Sequence, residues 1–167
     1  HPERLELEVL LGQILAEEKS YRTEQALRQA EQATREDNWV RARAEFEKAK
    51  KNMPGNEAAI KGIKRANEIL WLQSVLVQYE KSPYRLTDNG VLNEAKKVLE
   101  QASHFSKQSS KLRKKINQLS ELISTFNQLI SVIVTSDNMT EIQVRGIGKL
   151  GRILNKTIQL KPGYYTF

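Results

Sequence analysis

Cysteine is absent from this chain of 167 residues. That excludes disulfides, thiolate metal sites and cysteine nucleophiles, and it leaves the redox compartment open. Histidine is nearly absent: His1 and His104 are the only two. No histidine pair is left for zinc, and no Ser/His/Asp set can be assembled. No H-E-x-x-H or D-x-D cluster occurs, and the carboxylates lie mainly beside basic neighbours on helical segments. No catalytic residue, no cofactor and no metal are therefore expected. No run of roughly 18 apolar residues occurs, the least that a spanning helix needs, so no membrane span is expected. No signal peptide pattern is visible. The chain begins at His1 and closes on what reads as a strand, so it is expected to be cut from a longer protein.

Acid and base are both abundant, but base prevails: the net charge is +7. Most basic residues alternate with acids, as in Glu45-Phe46-Glu47-Lys48-Ala49-Lys50-Lys51, which reads as a solvated surface. Only 39% of residues are apolar and 28% are charged, a mix that suits an elongated helical array better than a compact α/β enzyme.

Helical periodicity runs through the first four-fifths of the chain. Leu7, Leu10, Leu11, Ile14 and Leu15 form an apolar stripe on a helix over 3–20, expected to pack on the next helix or to form a short coiled coil. Residues 23–52 read as two antiparallel helices turning at Glu36-Asp37-Asn38. Ala26, Ala30 and Ala33 face Trp39, Ala42, Phe46 and Ala49, and Pro54-Gly55 stops the second helix. A longer helix covers 57–80, with Trp71 expected in the core. Ser82-Pro83 breaks it, and Asp88 or Asn89 can cap a helix over 91–104. The last helix, 107–130, leads straight into a strand.

From residue 132 the period becomes two, in Val132-Ile133-Val134-Thr135, Ile142-Gln143-Val144-Arg145 and Lys156-Thr157-Ile158-Gln159-Leu160. Pro162-Gly163 is a turn pair, and Tyr164-Tyr165-Thr166-Phe167 reads as a further strand left without a partner. Tyr164 and Tyr165 are adjacent, so one must face out, where an aromatic can meet a ligand or a missing strand.

Two patterns bear on nucleic acids and nucleotides. Lys107, Lys111, Lys114 and Lys115, with Arg113 beside them, form a basic run without acids. The four lysines would share one helical face opposite Leu112, Ile116 and Leu119. Such a stripe is a solvated face or a partner or phosphate surface. Gly146-Ile147-Gly148-Lys149-Leu150-Gly151 has the G-x-G-x-x-G spacing. A dinucleotide site also needs a following helix and an acid about 20 residues on, and neither is present. A glycine-rich hairpin connection is the simpler reading. Val144 to Lys149 also resembles the hairpin of helix-hairpin-helix DNA-binding modules, with Arg145, Lys149 and Arg152 supplying charge.

Two further resemblances concern architecture. Ala26, Ala30, Ala33, Ala42, Phe46, Ala49 and Pro54 fall on the small, aromatic and proline positions of a tetratricopeptide repeat over about 23–56. This implies antiparallel helical hairpins whose concave face holds a peptide or protein. Val132 to Ser136, the Gly146–Gly151 hairpin and Leu160-Lys161-Pro162-Gly163-Tyr164-Tyr165-Thr166-Phe167 resemble a PEGA-type domain. That family is a small β-sandwich module of bacterial surface and envelope proteins, and the resemblance implies an extracytoplasmic binding or structural role without catalytic residues.

The expected architecture is mainly α: a tetratricopeptide-like array of antiparallel hairpins over 1–131, then a small, incomplete antiparallel β module over 132–167. The expected function is non-enzymatic protein–protein interaction or scaffolding in the bacterial periplasm or cell envelope, with the cytoplasm as the other setting. The partner would be a protein or peptide, held at Lys107, Lys111, Lys114, Lys115, Tyr164 or Tyr165, or a second copy joined through the open sheet edge or the N-terminal helix. A membrane would be met only through a segment outside this chain. The alternative is nucleic-acid binding through the basic helix 107–115 and the Gly-Ile-Gly-Lys turn.

Overall fold

The structure, a computed structural model, describes residues 2–167. Helices α1 (Pro2–Arg35), α2 (Trp39–Asn52) and α3 (Glu57–Lys81) are followed by a 3-10 turn, Pro83–Thr87. Helices α4 (Asn89–Ser103) and α5 (Ser110–Asn127) precede strands β1 (Ile130–Thr135), β2 (Glu141–Val144), β3 (Gly148–Arg152) and β4 (Asn155–Leu160). The protein is mainly helical with a small C-terminal antiparallel β module.

Local chemistry sets the helix ends. Asp37 takes a left-handed φ of 54°. Its N–H donates to Thr34 O (3.1 Å) and the Asn38 N–H donates to Ala33 O (2.8 Å), the paired bonds of a Schellman stop. Asn38 then caps α2, its side chain accepting from Arg41 N–H at 3.1 Å. Asn56 caps α3 through Ala59 N–H (2.9 Å), Asp88 caps α4 through Val91 N–H (3.0 Å), and Ser109 caps α5 through Leu112 N–H (3.0 Å). Each cap satisfies an N–H that the first turn leaves without a partner.

The chain divides into two compact units: residues up to Ser74 with His104–Arg113, and Val75–Ser103 with Lys114–Phe167. Of the three boundaries, two fall inside helices, in α3 and in α5, and the third falls at the end of α4. The β module therefore groups with helical segments of the second unit.

In the first unit, α1 and α2 form a helical hairpin. Ala26, Ala30 and Ala33 are buried, as are Trp39, Ala42, Phe46 and Ala49. The small residues let the backbones approach, and Phe46 fills the space toward α3. There Gly62 is required: a Cβ on it would lie 2.5 Å from the Phe46 ring. Trp71 is not in this core but 49% exposed. The buried stripe of α3 runs through Ala59, Ala66, Ile69, Leu72 and Leu76, and Trp71 lies about 200° around the helix from Ile69 at 100° per residue.

The expected helix over 3–20 is not separate. It is the first half of α1, because nothing at Tyr21-Arg22 breaks the helix, and its stripe packs on nothing. Residues 3–22 are all exposed, and Thr23 is the first buried residue of α1. Helix lengths explain this. The hairpin turns at 36–38 and α2 has only 14 residues, about 21 Å at 1.5 Å per residue. It therefore covers α1 only as far back as Thr23.

The β module is a single long hairpin with an interruption. The outer ladder pairs Ile130 with Leu160 through to Thr135 with Asn155, and the inner one pairs Glu141 with Arg152 through to Val144 with Gly148, with a bulge after Ile142. Between the ladders, Ser136 N–H donates to Leu154 O and Asn138 N–H to Ile153 O. Side chains alternate as period two requires: Val134, Val144 and Leu160 are buried, while Ile133 is 69% exposed. Asp137 forms the corner. Its carboxylate accepts from Met139 N–H (2.8 Å), Thr140 N–H (2.7 Å) and the Thr140 hydroxyl (2.9 Å). The Thr140 backbone bond is the largest of the contacts that hold its pKa down at about 2.

At this corner the ribbon folds back. Straight, it would carry Arg145 about 50 Å from Ile130 at roughly 3.3 Å per residue. Yet Arg145 N–H donates to Thr166 O at 3.0 Å, and the chain from Leu160 to Thr166 spans at most about 22 Å. That bond is also the outcome for the last expected strand: Tyr164 to Phe167 form no ladder. Pro162-Gly163 turns the tail, and the Tyr165 hydroxyl donates to Lys161 O at 2.8 Å, which takes the segment out of extended pairing.

Candidate functional site

The expected basic face does not assemble. Lys107 precedes α5 and sits exposed in the 104–108 turn. In the same unit, Lys111 belongs to a clamp around Asp37. The Asp37 carboxylate accepts from Trp39 Nε1 (2.8 Å), the Ser110 hydroxyl (2.9 Å) and Lys111 N–H (2.8 Å), and Lys111 Nζ donates to Asp37 O at 3.0 Å. Burial pushes the Asp37 carboxyl up, but the bonds from Lys111, Ser109, Ser110 and Trp39 outweigh it and leave it below the ordinary value. The turn between α1 and α2 is thereby tied to the start of α5.

In the second unit, Lys114 is exposed, whereas Lys115 is a quarter exposed and ion-paired with Glu80 at 3.3 Å. Of the four lysines, two are committed to structural bonds and two are solvated.

The glycine-rich segment lies in the inner ladder. Gly146 (φ 83°) makes the hairpin turn, and Gly148 and Gly151 lie in β3, so a strand follows where a dinucleotide site or a helix-hairpin-helix module requires a helix. Lys149 is paired across the ladder with Glu141 at 3.6 Å. The tyrosines behave as adjacent residues of an extended segment do. Tyr164 is 97% exposed, and Tyr165 turns inward to Lys161 O.

Lys161, which no motif singles out, anchors the β module within its unit. Its Nζ donates to Asn127 Oδ1 (2.9 Å), Asn89 Oδ1 (3.4 Å) and Thr87 O (3.4 Å), and Asn127 Nδ2 donates to Leu86 O (3.1 Å). Nothing in the sequence marks it beyond its place in Lys-Pro-Gly, because the three acceptors come from distant segments.

Among the described residues, no group of three or more metal-ligating side chains gathers, and no helix is long and apolar enough to cross a membrane. Two features stand out among those not spent on structure. One is the exposed half of α1, where Leu5, Leu7, Val9, Leu10, Leu11, Ile14 and Leu15 are each 51–65% exposed. The other is a small cleft in the second unit, between the end of α3, the 3-10 turn and the start of α4.

No protein-family model, no curated protein and no solved structure matches the chain.

Proposed function

We propose that this protein is a non-enzymatic interaction or scaffolding module, and that the first half of α1 is the element that joins it to a second copy. The observation that carries this reading is the helical stretch 3–22, exposed throughout and carrying an apolar seam. Leu7, Leu11, Ile14 and Tyr21 recur on the alternating four- and three-residue spacing of a two-stranded coiled coil. In a parallel pair, Leu10 of one helix faces Leu15 of the other, and Glu17 faces Arg22, so a second copy is complementary in both apolar and charged contacts. Glu18 also falls on the seam, where it is bonded to Arg22 of its own helix. A polar group there fixes register and weakens the pair.

The absence of cysteine makes the test direct. Ile14→Cys should crosslink to itself on mild oxidation, and Leu5→Cys, about 180° around the helix, should not. Light scattering on the intact chain should give a dimer, and Leu7→Gln with Ile14→Gln should give a folded monomer whose melting temperature no longer depends on protein concentration. A monomeric intact chain, together with no crosslink in the Ile14→Cys variant, would overturn the reading.

The setting in the bacterial periplasm or cell envelope, with the cytoplasm as the alternative, rests on the PEGA-type resemblance alone. The peptide-holding concave face rests on the tetratricopeptide resemblance alone. Nucleic-acid binding has less support, since Lys111 and Lys115 are already bonded to Asp37 and Glu80.

A further inference from the structure

The cleft in the second unit has a volume of about 170 Å³ and is lined by Val75, Gln78, Tyr79, Ser82, Arg85, Val91 and Glu94. Its size is below the range of drug-sized pockets. It has room for a few water molecules, and so for a ligand of only a few heavy atoms.

Its lining offers several polar groups to a ligand. Among the described residues, the Gln78 amide, the Tyr79 and Ser82 hydroxyls, the Arg85 guanidinium and the Glu94 carboxylate make no hydrogen bond to another protein group. Other polar groups of this unit, such as Lys161, Asn127 and Glu80, are spent on the fold. Two opposite charges sit within reach of one phenol. Burial pushes the Tyr79 hydroxyl above its ordinary value, Glu94 pushes it further, and Arg85 opposes them. The phenol therefore stays protonated at neutral pH and can both donate and accept. Val75 and Val91 supply the apolar part of the lining.

We propose that this cleft binds a small free α-amino acid of the size of alanine. Arg85 takes the carboxylate in the two-pronged geometry that a guanidinium offers. Glu94, with the Tyr79 oxygen, takes the ammonium. The methyl group meets Val75 and Val91. Alanine, with six heavy atoms, is small enough for such a cleft. A ligand with both charges gains two charge-assisted contacts where a singly charged analogue gains one. The site is independent of the N-terminal helix, and its failure would leave the self-association reading untouched.

The test is titration of the intact chain with L-alanine, followed by amide chemical shifts of residues 75–94. Saturable shifts confined to this segment are expected, with propionate and ethylamine each binding at least about tenfold more weakly. Arg85→Gln and Glu94→Gln should each weaken alanine by about tenfold or more. Both side chains are exposed, so the variants should keep the melting temperature of the parent. Val91→Phe, which fills the cleft and leaves both charges in place, should abolish the shifts. No saturation by about 10 mM alanine, or propionate binding as well as alanine, would overturn the proposal, the latter by reducing the cleft to a simple anion contact.

Discussion

The two halves of α1 are one helix with two fates. Over 23–35 the residues that face α2 are small, Ala26, Ala30 and Ala33, and all are buried. Over 3–22 the apolar residues are large apart from Ala16, and all are exposed. Hydrophobicity alone would have buried the wrong half. Burial in a helical hairpin depends on reach and on close approach. Large apolar residues beyond the reach of α2 remain exposed, and within the hairpin alanine lets two backbones come together.

The largest effect that would break this contrast is at Phe46. Phe46→Ala should cost roughly 3–5 kcal/mol, as for other buried aromatics cut to alanine. Leu11→Ala should change the stability of the monomer by less than about 0.5 kcal/mol. Chemical denaturation of both variants at low protein concentration decides this. Equal losses would mean that the exposed half of α1 packs on the fold after all.

Two glycines sharpen the same contrast with one substitution. Gly12→Ala meets nothing within 4 Å and should stabilise the helix by up to about 1 kcal/mol. Gly62→Ala gains the same helical preference but drives a Cβ into the Phe46 ring, an overpacking that typically costs about 1–3 kcal/mol. Opposite shifts in melting temperature are expected. If Gly62→Ala also stabilised the protein, Phe46 would not be seated against α3.

Asp37 tests whether the turn beside that hairpin holds α5. Asp37→Ala should cost about 1–2 kcal/mol, as for a lost helix cap. The carboxyl is held below its ordinary value, so its contribution is present above the unfolded value near 3.8. It is lost as pH falls below that value toward the lower folded one. Stability of the parent should therefore decline below about pH 4 more steeply than that of Asp37→Asn. Parallel pH profiles would remove the clamp.

The smallest effect belongs to the ribbon corner. Asp137 titrates at about 2 in the fold, again lowered, so its contribution is present above the ordinary aspartate range and is lost only as pH falls toward 2. The readout is local: the amide signals of Met139 and Thr140 should shift with a midpoint near 2. A midpoint in the ordinary range near 4 would mean that the Asp137 bonds do not persist in solution.

Period and punctuation were legible in the chain. The switch from a helical to a two-residue pattern near 132, the stop at Pro54-Gly55, the break at Ser82-Pro83 and the cap at Asp88 are local events, and local residues carry them. The α1–α2 core was legible for the same reason, since Ala26, Ala30, Ala33, Trp39, Ala42, Phe46 and Ala49 repeat on one stripe each. The site residues were not. Lys107, Lys111, Lys114 and Lys115 look alike in sequence, but whether a lysine is solvated or tied down depends on an acceptor far along the chain, Asp37 for Lys111 and Glu80 for Lys115. Trp71 misleads because an aromatic residue near an apolar stripe reads as part of it.

The sequence by itself determined where helices and strands form and which faces could be buried, because backbone preference and hydrophobic period act over a few residues. Only the tertiary structure decided which of those faces found a partner. That choice rested on the length of α2 against α1, on the folding back of the ribbon at Asp137 and on the three acceptors gathered by Lys161. Each is a distance between segments that no local pattern encodes.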